Sequence, residues 1–118
     1  MPTSLITGAS GLLGQCLLER LAPRADRLRL LDMAPPPTPS GHEVVQADMR
    51  DAAAVAAACR DIEVVYHLAA GQRMKPQFSA MSEQAIFDMN LAAVRNVLAG
   101  ARTAGVRKVV HISSSGIY

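Results

Sequence analysis

The sequence contains no tryptophan, and its aromatic residues are Tyr66, Phe78, Phe87 and Tyr118 alone. That is too few for a base-stacking platform that would hold a single nucleic-acid strand. An excess of one charge is also missing. Twelve Lys and Arg against ten Asp and Glu leave +2 over 118 residues, and no basic cluster is present for nucleic acid or an anionic membrane surface. No apolar run reaches bilayer-spanning length, and no basic segment precedes an apolar one at the N-terminus, so neither a membrane span nor a signal peptide is expected. Cysteine is scarce: Cys16 and Cys59 fall inside predicted helices and read as reduced thiols of a cytoplasmic protein. His67 and His111 have no Cys, His or acid at ligand spacing, so both are expected to be packed strand histidines and no metal site is expected.

What is present is an apolar half of the chain, rich in alanine, in a length that suits one α/β domain over residues 1–118. Its most informative stretch is Leu5-Ile6-Thr7-Gly8-Ala9-Ser10-Gly11-Leu12-Leu13-Gly14. A short apolar strand, Ser4 to Ile6, breaks at a glycine, the first of three at three-residue spacing. Beyond Gly11 the pattern turns helical, with Leu13, Leu17, Leu18 and Leu21 on one face. Strand, tight turn and helix in this order let an anion approach the first helical N–H groups. The natural anion is a pyrophosphate, which makes a dinucleotide site the first reading.

Further along, Leu28 to Asp32 is a second strand ending in an acid, and the proline-rich Ala34–Gly41 is a surface loop. Glu43 to Ala47 is a third strand ending at Asp48, and Asp51 caps a helix from Ala52 to Cys59. Glu63 to Leu68 forms a fourth strand. Gln72 to Ser82 reads as a loop, Glu83 to Thr103 as the longest helix closed by Gly105, and Val106 to Ile112 as a fifth strand. Alternating strands and helices with apolar strand centres imply a doubly wound parallel sheet, a Rossmann fold in the order 3-2-1-4-5. The long helix carries two apolar stripes: Phe87, Leu91, Val94, Leu98 and Ala101, and beside them Ile86, Met89, Ala93 and Val97. One stripe suffices to cover a sheet. The second calls for the remainder of a larger domain or for a partner subunit, hence a homodimer through helix 83–103.

Three groups of residues could carry chemistry. Asp32 lies 18 residues beyond Gly14, near the roughly 20 expected of an acid that accepts ribose hydroxyls. Its carboxylate would repel a 2′-phosphate, and no Arg or Lys lies between Met33 and Ser40, so NAD is favoured over NADP. Asp48 could accept the exocyclic amine of adenine with Met49 beside the ring, or it could be a capping or surface acid. Ser113, Ser114 and Ser115 follow the fifth strand, where hydroxyls would face the cofactor crevice at the carboxyl edge of the sheet. No Ser-His-Asp triad can be assembled.

Thr7-Gly8-x-x-Gly11-x-x-Gly14, Asp32, Asp48, His67-Leu68-Ala69-Ala70, Asn90 and Ser113 to Tyr118 occur in the order and spacing of one family. The chain resembles the N-terminal part of an extended short-chain dehydrogenase/reductase, of the NAD-dependent epimerase/dehydratase kind. The resemblance implies that Gly8, Gly11, Gly14 and the backbone of Leu12 and Leu13 cradle the pyrophosphate. It further implies that Asp32 takes the adenosine ribose, Asp48 and Met49 the adenine, and Leu68, Ala69 and Ala70 the pocket floor. Asn90 would steady backbone near the site, and Ser114 would hold a sugar oxygen of a sugar-nucleotide or sugar-acid substrate during hydride transfer.

The family's catalytic base is the tyrosine of a Tyr-x-x-x-Lys motif on the helix after strand five, and this sequence ends before it. Tyr118 matches instead the tyrosine of the strand-five motif. Without a base, roughly 10²–10⁴-fold of rate is lost, so the 118 residues are expected to be an inactive fragment that lacks that helix and the substrate domain. The rival expectation is a non-catalytic dinucleotide sensor acting through a partner.

Overall fold

The computed structural model describes residues 3–24, 27–34, 41–70 and 78–112. Five strands form one parallel sheet: β1 Thr3–Thr7, β2 Arg27–Asp32, β3 Glu43–Gln46, β4 Val64–His67 and β5 Lys108–His111, in the order β3-β2-β1-β4-β5. The expected strand order is thus observed. The central strand, β1, is the most deeply buried. Its side chains alternate between the faces, so Leu5 joins Leu31 and Val65 in one core while Ile6 joins Leu28 and Leu30 in the other.

The Ile6 face is covered by α1, Leu12–Leu21, through Leu18 and Leu21. The expected stripe changes at its first member. Leu13 is 52% exposed, and Gly14 takes the buried position, because a Cβ there would lie 2.8 Å from Ala9 Cα. The missing side chain lets α1 close directly onto the turn that precedes it.

The Leu5 face is covered by α2, Ala52–Ala58, and α3, Glu83–Ala104. As expected, Asp51 caps α2, accepting from Ala54 N at 3.1 Å, and Gly105 ends α3 in the left-handed region at φ 74°. Ser82 caps the start of α3, accepting from Ala85 N. The inner face of α3 is Met89, Ala93, Val97, Gly100 and Ala101. Ala101, read with the Phe87 stripe from the sequence, therefore belongs to the core. Gly100 decides this orientation: a Cβ would stand 3.1 Å from Ala56 Cα, so the small face is the one that lies on α2. Phe87, Leu91 and Leu98 point outward, 61%, 37% and 53% exposed.

Candidate functional site

The carboxyl ends of β1, β2 and β4 and the flank of α3 enclose a cavity of about 490 Å³. Its wall is the glycine turn. Gly8 adopts φ 73°, the left-handed region that glycine enters without strain, and donates its N–H to Leu31 O at 2.9 Å. A Cβ on Gly8 would lie 2.8 Å from Ala69 N, so only glycine admits the β4 exit this close. Gly11 is the N-cap of α1 and offers no side chain to the first-turn N–H groups. Leu12 is 86% exposed beside it. A helix start of this kind, open on the cavity side, attracts negative charge.

Asp32 ends β2 at the rim, half-buried. One of its oxygens accepts two bonds from Ser10, from the backbone N–H at 3.0 Å and from the hydroxyl at 2.5 Å. The other accepts Met33 N at 2.7 Å. Nothing in the sequence pairs Ser10 with Asp32; a hydroxyl beside the glycine turn is the available signal. Asp48 also lines the cavity, but Arg50 grips its carboxylate, with Nη2 at 2.6 Å from Oδ2. The Arg50 guanidinium holds Asp48 below the usual carboxylate range. Met49 is buried, and its carbonyl accepts from Asn96 Nδ2 at 2.8 Å. Asn96, a second residue the sequence did not single out, thereby ties α3 to the stretch behind Asp48.

From β4 come His67, Leu68, Ala69 and Ala70, and from α3 Met89, Asn90, Ala93 and Val94. His67 is buried, as expected, and bonds Thr7 Oγ1 through Nδ1 at 2.8 Å. Burial, and after it the neighbouring His111, push its pKa down to about 4. His111 is an exception to the expectation of packed histidines: it is exposed, and its ring stacks on His67 with centroids 5.6 Å apart. Ser113, Ser114 and Ser115, together with Tyr118, lie outside the described residues. So do residues 35–40 of the proline-rich loop and 72–77 of the loop before α3, whereas Phe78 is buried against the cavity.

Among the described residues no Lys or Arg lines this cavity, no group of three or more His, Cys, Asp or Glu could hold a metal, and no helix is long and apolar enough to cross a membrane. A larger cavity, about 640 Å³, lies at the opposite edge of the sheet. Of the two arginines in its described lining, Arg27 and Arg29, the second is already engaged. Arg29 Nη1 donates to Ala58 O and Arg60 O, at and just past the end of α2, and its Nε pairs with Glu43 of the same lining. The glycine turn, Asp32 and Asp48 all line the cavity at the carboxyl edge.

The sequence pattern of the NAD dependent epimerase/dehydratase family matches residues 4–118. Sterol demethylase protein B of Methylococcus capsulatus is 36% identical over 97% of this chain and 35% of its own length. The UDP-glucose 4-epimerase of Mycolicibacterium smegmatis is 34% identical over 96% of this chain and 39% of its own. A mutant uronate dehydrogenase of Agrobacterium tumefaciens, solved in complex with NAD, superposes with a TM-score of 0.79 at 36% identity, over 97% of this chain and 41% of that protein. The chain thus spans between about a third and two-fifths of the length of these relatives.

Proposed function

This chain belongs to the NAD dependent epimerase/dehydratase family, and from that membership we propose that it is the NAD-binding portion of a cytoplasmic oxidoreductase, epimerase or dehydratase acting on a sugar nucleotide or sugar acid. The observation that carries the cofactor choice is Asp32, an acid braced by Ser10 at the rim of a cavity whose described lining holds no cation. A ribose hydroxyl can donate to the remaining lone pair of Asp32, whereas a 2′-phosphate meets a fixed negative charge.

The residues fit a dinucleotide. Gly8 and Gly14 occupy points where a Cβ would strike backbone, which keeps the turn compact, and Gly11 with Leu12 and Leu13 opens the start of α1 toward the cavity. Those N–H groups would face the pyrophosphate. Met49, with Asp48 beside it, would flank the adenine, while Leu68, Ala69 and Ala70 would form the floor and Asn90 the α3 side. Bound there, NAD supplies a hydride acceptor and donor. Ser113 would face the same crevice, and Ser114 would hold the substrate oxygen from which or to which hydride passes, orienting it by one hydrogen bond. A sugar-type substrate has the support of the uronate dehydrogenase and the UDP-glucose 4-epimerase among the relatives. The outward stripe of Phe87, Leu91 and Leu98 supports a homodimer through α3.

Calorimetric titration with NAD and with NADP tests the reading. NAD is expected to bind about tenfold or more tightly than NADP, the difference of one fixed charge near the ribose. Equal or tighter binding of NADP removes Asp32 from the role assigned to it.

A further inference from the structure

Thr7 Oγ1 stands at the centre of three contacts: 2.8 Å from His67 Nδ1, 3.1 Å from Leu68 N and 3.2 Å from Ala69 N. The two backbone N–H groups can only donate. Leu68 N–H is shared with the carbonyl of Thr7 at 3.2 Å, yet it still directs its hydrogen at the hydroxyl. A hydroxyl has two lone pairs and one proton, so these donors fill its acceptor capacity and its proton goes to Nδ1. A hydrogen on Nδ1 would instead set a third donor against the same oxygen. It would also leave the Thr7 proton unpaired where both side chains are buried, and an unmade buried bond is costly.

We propose that His67 is a positioning residue for the dinucleotide cradle, acting as the neutral imidazole that carries its hydrogen on Nε2 and accepts the Thr7 hydroxyl at Nδ1. By taking that proton, His67 turns the Thr7 lone pairs toward the Leu68 and Ala69 amides. Ala69 is the residue on which the Gly8 turn closes, so the Thr7 hydroxyl sets the spacing between the glycine turn and the β4 exit, two walls of one cavity. The low proton affinity of His67, caused by burial and then by His111, keeps the required neutral form in place at neutral pH. His111 is the titratable ring stacked on it, and Asp32 and Asp48 line the same cavity.

The effect on affinity rests on the dinucleotide reading above; the placement of the hydrogen does not. Nitrogen NMR with long-range proton correlation on the isotope-labelled chain, His67 being identified by its loss in His67→Asn, reads which ring nitrogen is protonated at neutral pH. Nε2–H alone is expected. Nδ1–H, or averaged shifts on both nitrogens, overturns the proposal. Amide exchange at Ala69 and NAD titration then compare His67→Asn, whose side-chain oxygen can replace Nδ1 as acceptor, with His67→Leu, which has none. Exchange at Ala69 is expected to quicken roughly tenfold in the leucine variant and to stay within about threefold of the parent in the asparagine variant, with NAD affinity falling in the same order. Equal exchange in the two variants overturns the coupling. If the parent takes up no NAD, the dinucleotide reading fails, while the nitrogen spectrum and Ala69 exchange still decide the role of His67. If His67→Leu does not fold, the spectrum of the unsubstituted chain decides alone.

Discussion

Ser10 directs both of its donors, backbone N–H and hydroxyl, at a single oxygen of Asp32, 22 positions away in the chain. The pair joins the glycine turn to the end of β2, so the shape of the turn and the aim of the carboxylate are one arrangement. Replacing Ser10 by Ala removes the hydroxyl's bond to the carboxylate while leaving the backbone one. NAD affinity is expected to fall about threefold to tenfold, the effect of losing roughly 1 kcal/mol of orientation. Asp32→Ala should go further and bring NAD and NADP binding to within about a factor of two. Calorimetry of both dinucleotides on each variant checks this, and preserved discrimination in Asp32→Ala would count against the reading.

Two glycines with the same backbone sign separate conformational strain from collision. Gly105 has φ 74° with nothing within 4 Å of an added Cβ, whereas Gly8 has φ 73° and Ala69 N at 2.8 Å. Gly105→Ala is expected to cost about 1 kcal/mol and Gly8→Ala roughly 2–4 kcal/mol, since the second must also move backbone. Urea denaturation of the two variants measures the difference. Equal losses would mean that the β4 exit gives way freely.

Acid should destabilise the chain in two steps. His67, buried with a pKa of about 4 against 6.5 for an ordinary histidine, takes up its proton more readily in the unfolded state. The unfolded chain therefore binds more protons between these values, and stability is fully present above pH 6.5 and declines as pH falls toward 4. The contribution is on the order of 3 kcal/mol. Asp48, lowered by its hydrogen bond from Arg50, adds a smaller loss only below the ordinary carboxylate range. Urea midpoints from neutral pH down to below the ordinary carboxylate range, repeated on His67→Asn and Asp48→Asn, assign the steps. An unchanged slope in the histidine variant would show that the upper step has another source.

Phe87 and Leu98 are 61% and 53% exposed on the outer face of α3, while Val97 between them is buried. Replacing both by Ser is expected to change folding stability by less than about 0.5 kcal/mol per site. The proposed homodimer, in contrast, should dissociate. Sedimentation of parent and variant reads this directly; a parent that is monomeric at all concentrations would sink the dimer reading.

The strands, the glycine turn and the acid at the end of β2 were legible because each is local, and the strand order followed from the doubly wound arrangement that alternating strands and helices adopt. Apolar runs of strand length broken by glycine or proline, and an acid at a set distance, follow from backbone sterics and alternation. The caps at Asp51 and Gly105 were legible for the same reason: each acts within a few residues of itself. Contacts that bridge distant parts of the chain were not. Thr7 with His67 spans 60 positions, Asn96 with Met49 spans 47, and nothing in the neighbourhood of either partner names the other.

The amino-acid order by itself determined where the chain turns and which strands it forms, because those choices are made by steric limits on each residue and its immediate neighbours. Tertiary structure alone decided which apolar stripe of α3 faces inward, and it did so through an absent side chain. Gly100 allows α3 to approach Ala56, so the small-residue face wins the contact and Phe87 is left outside. Likewise the residue that braces Asp32 and the proton that joins Thr7 to His67 are set by packing, since hydrogen bonds form between whatever groups the folded sheet brings to the same edge.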